Sequence, residues 1–153
     1  MESRICELML RKGLRMATAE SCTGGLLASV LTDVSGSSGY FQGGVVAYSN
    51  AVKVAMLGVN EGDLAQFGAV SEPIARQMAE GACAIFAADI AVGVTGIAGP
   101  TGGTPEKPVG LVYIAVAHPR GTQIVKNQFS GSREQIKQRT VEKALQMVLE
   151  SIE

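Results

Sequence analysis

Apolar positions at helical spacing predict helices at both ends of the chain and in its middle. A short amphipathic segment ends at Gly13. A longer helix follows Ser71 and tolerates Pro73, because a proline in the first turn loses no helical hydrogen bond. The last helix begins at Ser132, which pairs with Gln135 as a capping box. Core-facing positions are predicted to be Ile74, Met78, Ala82 and Ile85 in the middle helix, and Val141, Ala144, Leu145, Val148, Leu149 and Ile152 in the last. Three shorter helices are predicted: one at 23–33, one that begins directly after Asn50 as its cap, and one at 63–67.

Apolar runs bounded by turn residues predict five strands. They cover residues 14–19, 45–49, 89–96, 111–118 and 123–130, and the Gly- and Ser-rich segment 35–44 is predicted to be a loop. Helices alternate with strands for most of the chain, and a hairpin comes late. We therefore expect an α/β fold: a single domain, residues 1–153, with a mixed β-sheet and helices on both faces.

Composition excludes several classes of protein. Hydrophobic residues are 46% and charged residues 18%, which suits a packed core rather than disorder. A net charge of −1 without a basic run argues against nucleic-acid binding, and no apolar stretch is long enough to span a membrane. The N-terminus lacks the apolar core of a signal peptide. Three cysteines without paired spacing indicate a reducing, cytoplasmic setting, and one histidine leaves few ligands for zinc.

The segment AESCTGG, residues 19–25, carries two candidate nucleophiles, Ser21 and Cys22. Its composition is typical of a strand that turns sharply into a helix. Backbone N–H groups at such a turn have no helical partner, and they can bind a phosphate or stabilise an oxyanion. Cys22 is the rival nucleophile, although a small apolar side chain there also suits a buried structural role.

A serine nucleophile needs a base, and the chain offers two candidates. His118 is the only histidine and precedes Pro119 in a predicted hairpin turn, which favours a surface role. Lys53 would lie in the first turn of a helix, where the helix dipole and partial burial lower its pKa towards that of a general base. Tyr48 could orient either partner. The alternative is that Lys53 is an ordinary solvated helix residue.

A second candidate site is the loop that follows the strand predicted at 89–96. Within residues 96–110, Gly96, Gly99, Gly102 and Gly103 permit close backbone approach to a ligand, and threonine hydroxyls lie within and beside the loop. The spacing matches neither a P-loop nor a dinucleotide-binding GxGxxG motif. At this length the loop exceeds an ordinary connection, which favours a role in binding.

These segments together resemble a known family. ATAESCTGGLLA, VVAYSNAVK, GAVSEPIARQMAEGA, GVTGIAGPTGGTPEKPVGLVYIA and FSGSREQI are similar to the C-terminal domain of the CinA family, in order and from about residue 3 to about 150. That family includes nicotinamide-nucleotide amidohydrolases, which convert nicotinamide mononucleotide and water to nicotinate mononucleotide and ammonia in pyridine nucleotide salvage. Many members carry a further N-terminal domain, and this chain resembles the standalone form.

The resemblance implies roles for individual residues. Ser21 would be the nucleophile, Lys53 its general base and Tyr48 a helper. The residues that would bind the nucleotide are Cys22, Thr23, Gly24, Gly25, Gly96, Gly102, Gly103, Thr104, Arg133 and Lys137. Relatives often carry Arg at the position of Lys137 and Asp at that of Ser132, so the phosphate contacts differ here.

The resemblance also bears on what the chain binds. It implies a small-molecule nucleotide as the substrate, no cofactor or metal, no nucleic acid or membrane partner, and a homo-oligomer (dimer or trimer). The competing hypothesis is a noncatalytic nucleotide-binding module of the same fold.

Overall fold

The structure is a computed structural model that describes all residues from Met1 to Glu153. The strands are β1 (Met16–Glu20), β2 (Phe41–Val46), β3 (Ile90–Gly96), β4 (Leu111–His118) and β5 (Gly121–Gln128). The helices are α1 (Glu2–Lys12), α2 (Leu26–Thr32), α3 (Asn50–Leu57), α4 (Glu61–Phe67), α5 (Glu72–Phe86) and α6 (Arg133–Ile152), and one turn of 3-10 helix covers Ser37–Gly39. No helix is both long enough and apolar enough to cross a bilayer.

The strands form one mixed sheet in the order β2-β1-β3-β4-β5. Strand β1 pairs in parallel with both β2 and β3, whereas β4 and β5 pair antiparallel. The carboxyl ends of β1, β2 and β3 therefore lie at one edge of the sheet, where α/β proteins place their ligands. The predicted mixed sheet is confirmed, and so is the late hairpin.

Helices cover both faces of the sheet, as predicted, but the two faces are packed differently. Helices α1, α2 and α6 bury large aliphatic side chains against one face. Helix α5, joined by α3 and α4, lies on the other face, where much of the contact is made by alanines. A Cβ added at Gly93 in β3 would lie 2.6 Å from the carbonyl oxygen of Ala75 in α5, so helix and strand touch backbone to backbone there.

Several predicted boundaries are wrong, and β2 shows why. It starts at Phe41, inside the segment predicted to be a loop, and it ends at Val46 rather than residue 49. Glycine is needed in this strand because neighbouring side chains leave no room for a Cβ, and not because the chain turns there. A Cβ at Gly44 would collide with the side chain of Thr18 on β1. A Cβ at Gly43 would lie 2.7 Å from the ring of Phe86.

The helices also differ from the prediction in detail. Ser49 rather than Asn50 caps α3, by accepting a hydrogen bond from the Val52 N–H group. Ile85 is 48% exposed rather than buried, since the last turn of α5 packs through Phe86 against the sheet edge instead. Helix α2 starts at Leu26 instead of residue 23, because residues 21–25 form a separate turn. The capping box between Ser132 and Gln135 is confirmed.

Candidate active site

A cleft of about 270 Å³ opens at the carboxyl edge of the parallel strands. Its walls come from the turn after β1, the start of α3, the segment before α5, the loop after β3 and the start of α6. Among the residues that line it are Ser21, Cys22, Tyr48, Asn50, Lys53, Val70, Thr95, Gly96, Gly99, Thr101, Gly102 and Arg133. The parallel pairing of β1 with its neighbours thus brings together segments that are distant in the sequence.

Ser21 and Lys53 meet at the base of this cleft. The Nζ atom of Lys53 donates a hydrogen bond to Ser21 Oγ over 3.1 Å and another to the backbone carbonyl of Tyr48 over 3.3 Å. Lys53 is only 2% exposed and Ser21 8%, so the pair is screened from bulk water. No carboxylate forms an ion pair with Lys53. It is therefore not an ordinary solvated helix residue.

Burial has opposite consequences for the two groups that could exchange protons with a substrate. Removal from water lowers the pKa of Lys53 below the ordinary lysine value, which favours the neutral amine that a general base requires. Burial raises the pKa of the Cys22 thiol to about 12, and its side chain packs in the core beneath the turn. A thiolate is therefore strongly disfavoured at Cys22.

The turn between β1 and α2 is held by Glu20, which sequence reasoning missed. This carboxylate is 1% exposed. It accepts hydrogen bonds from the hydroxyl of Thr23 over 2.7 Å and from the N–H groups of Leu27 and Ala28 over 2.8 and 3.1 Å. Glu20 thus caps α2 from the end of the preceding strand, and it occupies helical N–H groups that would otherwise attract an anionic ligand.

The turn itself leaves some backbone donors free. The N–H groups of Gly24 and Leu26 bond to the carbonyls of Ser21 and Thr23, each over 3.0 Å. The N–H groups of Cys22, Thr23 and Gly25 bond to no protein acceptor. Of these residues Cys22 lines the cleft directly after Ser21, so its N–H group is placed to meet an oxyanion, whereas Thr23, Gly24 and Gly25 lie outside the lining.

Arg133 at the start of α6 joins two walls of the cleft. Its guanidinium donates to the carbonyl of Gly99 over 2.7 Å and to the hydroxyl of Tyr48 over 2.9 Å. The Tyr48 ring is 60% exposed, and its hydroxyl bonds neither to Ser21 nor to Lys53. Tyr48 therefore contacts Lys53 through its carbonyl and is linked through Arg133 to the loop after β3.

The remaining predicted ligand residues are placed at different distances from the cleft. Lys137 lies one turn beyond Arg133, and its Nζ would be 3.6 Å from a Cβ at Gly24, so it stands beside the turn rather than in the cleft lining. Gly103 and Thr104 lie outside the lining. Thr104 closes its own turn with Lys107, through hydrogen bonds of 2.8 and 3.0 Å.

His118 lies far from Ser21, at the opposite end of the sheet. It ends β4, whose antiparallel register places Ala117 beside Ala91 at the start of β3, whereas Ser21 follows the end of β1. Its Nδ1 accepts a hydrogen bond from the Arg120 N–H group within the hairpin turn, where a surface role was expected.

Two cleft features were not singled out from the sequence. Asn50 lines the cleft beside Lys53, and its place one turn before that lysine is the signal that was available. The segment around Val70 also lines it and offers no chemical motif. Nowhere do three or more His, Cys, Asp or Glu side chains gather as a metal site would require.

Comparisons with known proteins agree with this architecture. The family model for the CinA C-terminal domain matches residues 1–152. The chain belongs to the CinA family. Among its relatives, a CinA-like protein of an Anaeromyxobacter species is 54% identical over 90% of this chain, and one of Syntrophobacter fumaroxidans is 50% identical over 95%. These matches cover 33% and 34% of those proteins, so the chain spans about a third of the length of the curated relatives it matches.

Solved structures of the CinA superfamily share the fold over nearly their whole length. The competence/damage inducible protein CihA from Agrobacterium tumefaciens superposes with a TM-score of 0.97 at 44% identity, covering 99% of this chain and 93% of that one. A CinA superfamily protein from Escherichia coli superposes with a TM-score of 0.93 at 33% identity, covering 97% and 86%. The names of these proteins state no reaction.

Proposed function

We propose that this CinA-family chain hydrolyses the carboxamide of nicotinamide mononucleotide, releasing nicotinate mononucleotide and ammonia for pyridine nucleotide salvage in the cytoplasm. The observation that carries the proposal is the buried hydrogen bond from Lys53 to Ser21 in a cleft beside free backbone donors. Such a pair is the serine–lysine form of an activated nucleophile.

In the first step Ser21 Oγ bonds to the carboxamide carbon while its proton passes to the neutral amine of Lys53. The lowered pKa of Lys53 supports this role, because the amine is neutral over a wider pH range than that of a solvated lysine. The carbonyl of Tyr48 receives the second Lys53 hydrogen bond and keeps the amine aimed at the serine.

Negative charge then develops on the carboxamide oxygen. The free N–H group of Cys22, which follows Ser21 in the cleft wall, would stabilise this charge, with the largest effect on the transition state. Collapse of the tetrahedral intermediate breaks the carbon–nitrogen bond, and the ammonium of Lys53 protonates the departing nitrogen. Water next attacks the acyl-enzyme, gives a proton to Lys53 and releases the carboxylate as Ser21 regains its hydrogen. The scheme uses no cofactor.

The rest of the nucleotide would be held by the far wall of the cleft. The backbone at Gly96 and Gly102 and the guanidinium of Arg133 would bind ribose and phosphate. Lys137 would add a positive charge beside Gly24, without the bidentate geometry of an arginine. The cleft lies near the small end of the usual range for ligand pockets, which favours a mononucleotide over a dinucleotide.

The test is release of ammonia and nicotinate mononucleotide by the wild type, Ser21→Ala and Lys53→Met. Matched controls are Ser38→Ala and Lys126→Met, which remove the same groups from exposed positions. Loss of activity in the first pair alone is the expected result. Full turnover by Ser21→Ala would disprove the serine mechanism, and loss confined to Cys22→Ser would identify a thiol hydrolase instead.

The second candidate is a noncatalytic nucleotide-binding module. The cleft and its loop serve this function equally well, and the relatives' names state no reaction. Calorimetric binding of the nucleotide by a wild type that releases no ammonia would identify the module.

We further propose a homo-oligomer, a dimer or trimer. Exposed large apolar side chains, among them Val46, Tyr48 and Met56, support association. Light scattering coupled to size exclusion measures the molar mass directly, and a mass of 15.9 kDa would contradict association.

A further inference from the structure

Glu20 is a buried carboxylate that the proposed chemistry does not use. It directly precedes Ser21, is 1% exposed, and has no cation within ion-pair distance. A buried charge of this kind is costly unless hydrogen bonds satisfy it. Here the donors are the Thr23 hydroxyl and the first free N–H groups of α2. The carboxylate is thus held by the segment that follows the nucleophile.

This arrangement closes residues 21–25 into a loop that is fixed at both ends. Strand β3 fixes one end, because the Ser21 N–H group donates to the carbonyl of Val94 in that strand over 3.0 Å. Glu20 fixes the other end by bonding to Leu27 and Ala28. Gly25 at the helix N-cap has no side chain with which to cap α2, so Glu20 replaces the cap that a Ser or Asp would supply.

The same contacts decide which backbone donors stay free, and of the residues that carry them Cys22 lines the cleft. With the helical N–H groups bonded to Glu20, the free ones are those of the turn itself, at Cys22, Thr23 and Gly25. Two of the three Glu20 bonds are made by α2 and one by Thr23, so the carboxylate ties the orientation of the turn to the helix.

We infer that Glu20 is a positioning residue, which fixes the turn after β1 and so orients the Cys22 N–H group towards the oxyanion that forms on the substrate. The inference rests on the proposed amide hydrolysis. A donor misplaced by the loss of Glu20 weakens binding of the transition state and leaves binding of the ground state almost unchanged. The effect therefore falls on kcat rather than on KM.

The decisive variant is Glu20→Gln, which keeps the size of the side chain and the acceptor for Leu27. Its amide nitrogen would face the Ala28 N–H group, donor against donor, so the turn must shift. We expect kcat to fall about 100-fold, the effect typical of one oxyanion donor, while KM changes less than threefold. Glu142→Gln is the matched control, because its carboxylate is exposed on α6, and it should behave as wild type.

A second variant covers the case in which Glu20→Gln does not fold. Thr23→Val removes only the hydroxyl bond to Glu20 and should lower kcat by a smaller factor, about tenfold, again without raising KM. If Glu20 had only a structural role, the variants would have a lower melting temperature and a smaller active fraction. Their kcat per folded enzyme, counted by titrating Ser21, would then be unchanged. That result would overturn the inference.

Amide hydrogen exchange gives a readout that does not depend on turnover. In wild type the Ala28 amide should be protected, and in Glu20→Gln it should exchange faster, whereas amides of α6 keep their rates. A wild type that releases no ammonia would overturn the proposed function. Wild-type turnover with undiminished kcat in Glu20→Gln and Thr23→Val would overturn the role of Glu20 alone.

Discussion

Gly81 in α5 sets the position of Lys53 through its contact with the last residue of α3, Leu57. A Cβ at Gly81 would lie 2.9 Å from the carbonyl carbon of Leu57, and closer still to its oxygen. Carbon atoms pack at about 3.5–4.0 Å. Gly81→Ala therefore requires α3 to move away from α5 by roughly 1 Å. The new Cβ is fixed to the α5 backbone and meets the backbone of Leu57, so no side-chain rotation can relieve the overlap. Lys53 lies one turn before Leu57 on that helix.

The expected loss follows from the geometry of the pair. The hydrogen bond from Lys53 Nζ to Ser21 Oγ is already 3.1 Å, near the upper end of the normal range, so the shift would break it. Misplacement by 1 Å costs about 100-fold in rate, and flexibility of the lysine side chain recovers part of this. We expect kcat/KM for ammonia release to fall between about tenfold and about 100-fold.

Stability provides the second measurement for the same variant. Alanine is a better helix former than glycine by about 1 kcal/mol, whereas overpacking costs about 1–3 kcal/mol. Urea unfolding of Gly81→Ala should therefore show a net loss of about 1 kcal/mol. Gly62→Ala in α4 is the control, because its new methyl group meets only the Asn60 side-chain oxygen, at 3.0 Å. A Gly81→Ala protein with a higher unfolding free energy and wild-type turnover would refute this account of how α3 is seated.

Four further predictions concern the cleft. Because burial lowers the pKa of Lys53, kcat/KM should rise with pH to a plateau, with an apparent pKa below the ordinary lysine value of 10.5. Lys53→Arg should be inactive at every pH. A rise in kcat/KM centred at pH 10.5 or above would contradict the role of Lys53 as the base. The unfolded chain binds more protons than the native one between those two pKa values, so unfolding free energy should also rise with pH there, by more than in Lys53→Met. Tyr48→Phe breaks the bond to Arg133 and spares the carbonyl that holds Lys53, so KM should rise several-fold while kcat stays within about twofold; an equal loss in kcat would show that the hydroxyl takes part in the chemistry. Cys22→Ala should keep most of its activity, and the thiol should resist iodoacetamide at pH 8, as its pKa of about 12 requires; rapid alkylation that inactivates would contradict it.

The sequence predicted best those elements whose signal is local. The last helix begins where the capping box of Ser132 places it, because both partners lie within one turn. Arg139 is exposed, as its phase opposite the apolar positions of that helix requires. The α/β class followed from the alternation of periodicities. In each case the information lies within a few residues along the chain.

Features that depend on distant segments were not predictable. Gly43 and Gly44 suggested a loop, although their lack of side chains serves contacts with Phe86 and Thr18 on other elements. Glu20 belongs to the recognised motif, yet its bonds to residues seven and eight positions later form only once the turn has folded. The partners of Arg133 lie 34 and 85 positions away, so no spacing rule reveals them.

The two faces of the sheet should tolerate mutation in opposite ways. On the α5 face, at the contact where Ala75, Ala79 and Gly93 bring backbones together, any added methylene forces helix and strand apart, and the alanines have little side chain to lose. On the α6 face, large side chains such as Ile114 and Leu145 leave cavities when shortened, while conservative exchanges among aliphatic residues can repack. Stable variants selected from a library should therefore vary in side-chain volume on the face that α6 covers. They should keep side-chain volume constant on the face that α5 covers, which also carries α3 with Lys53.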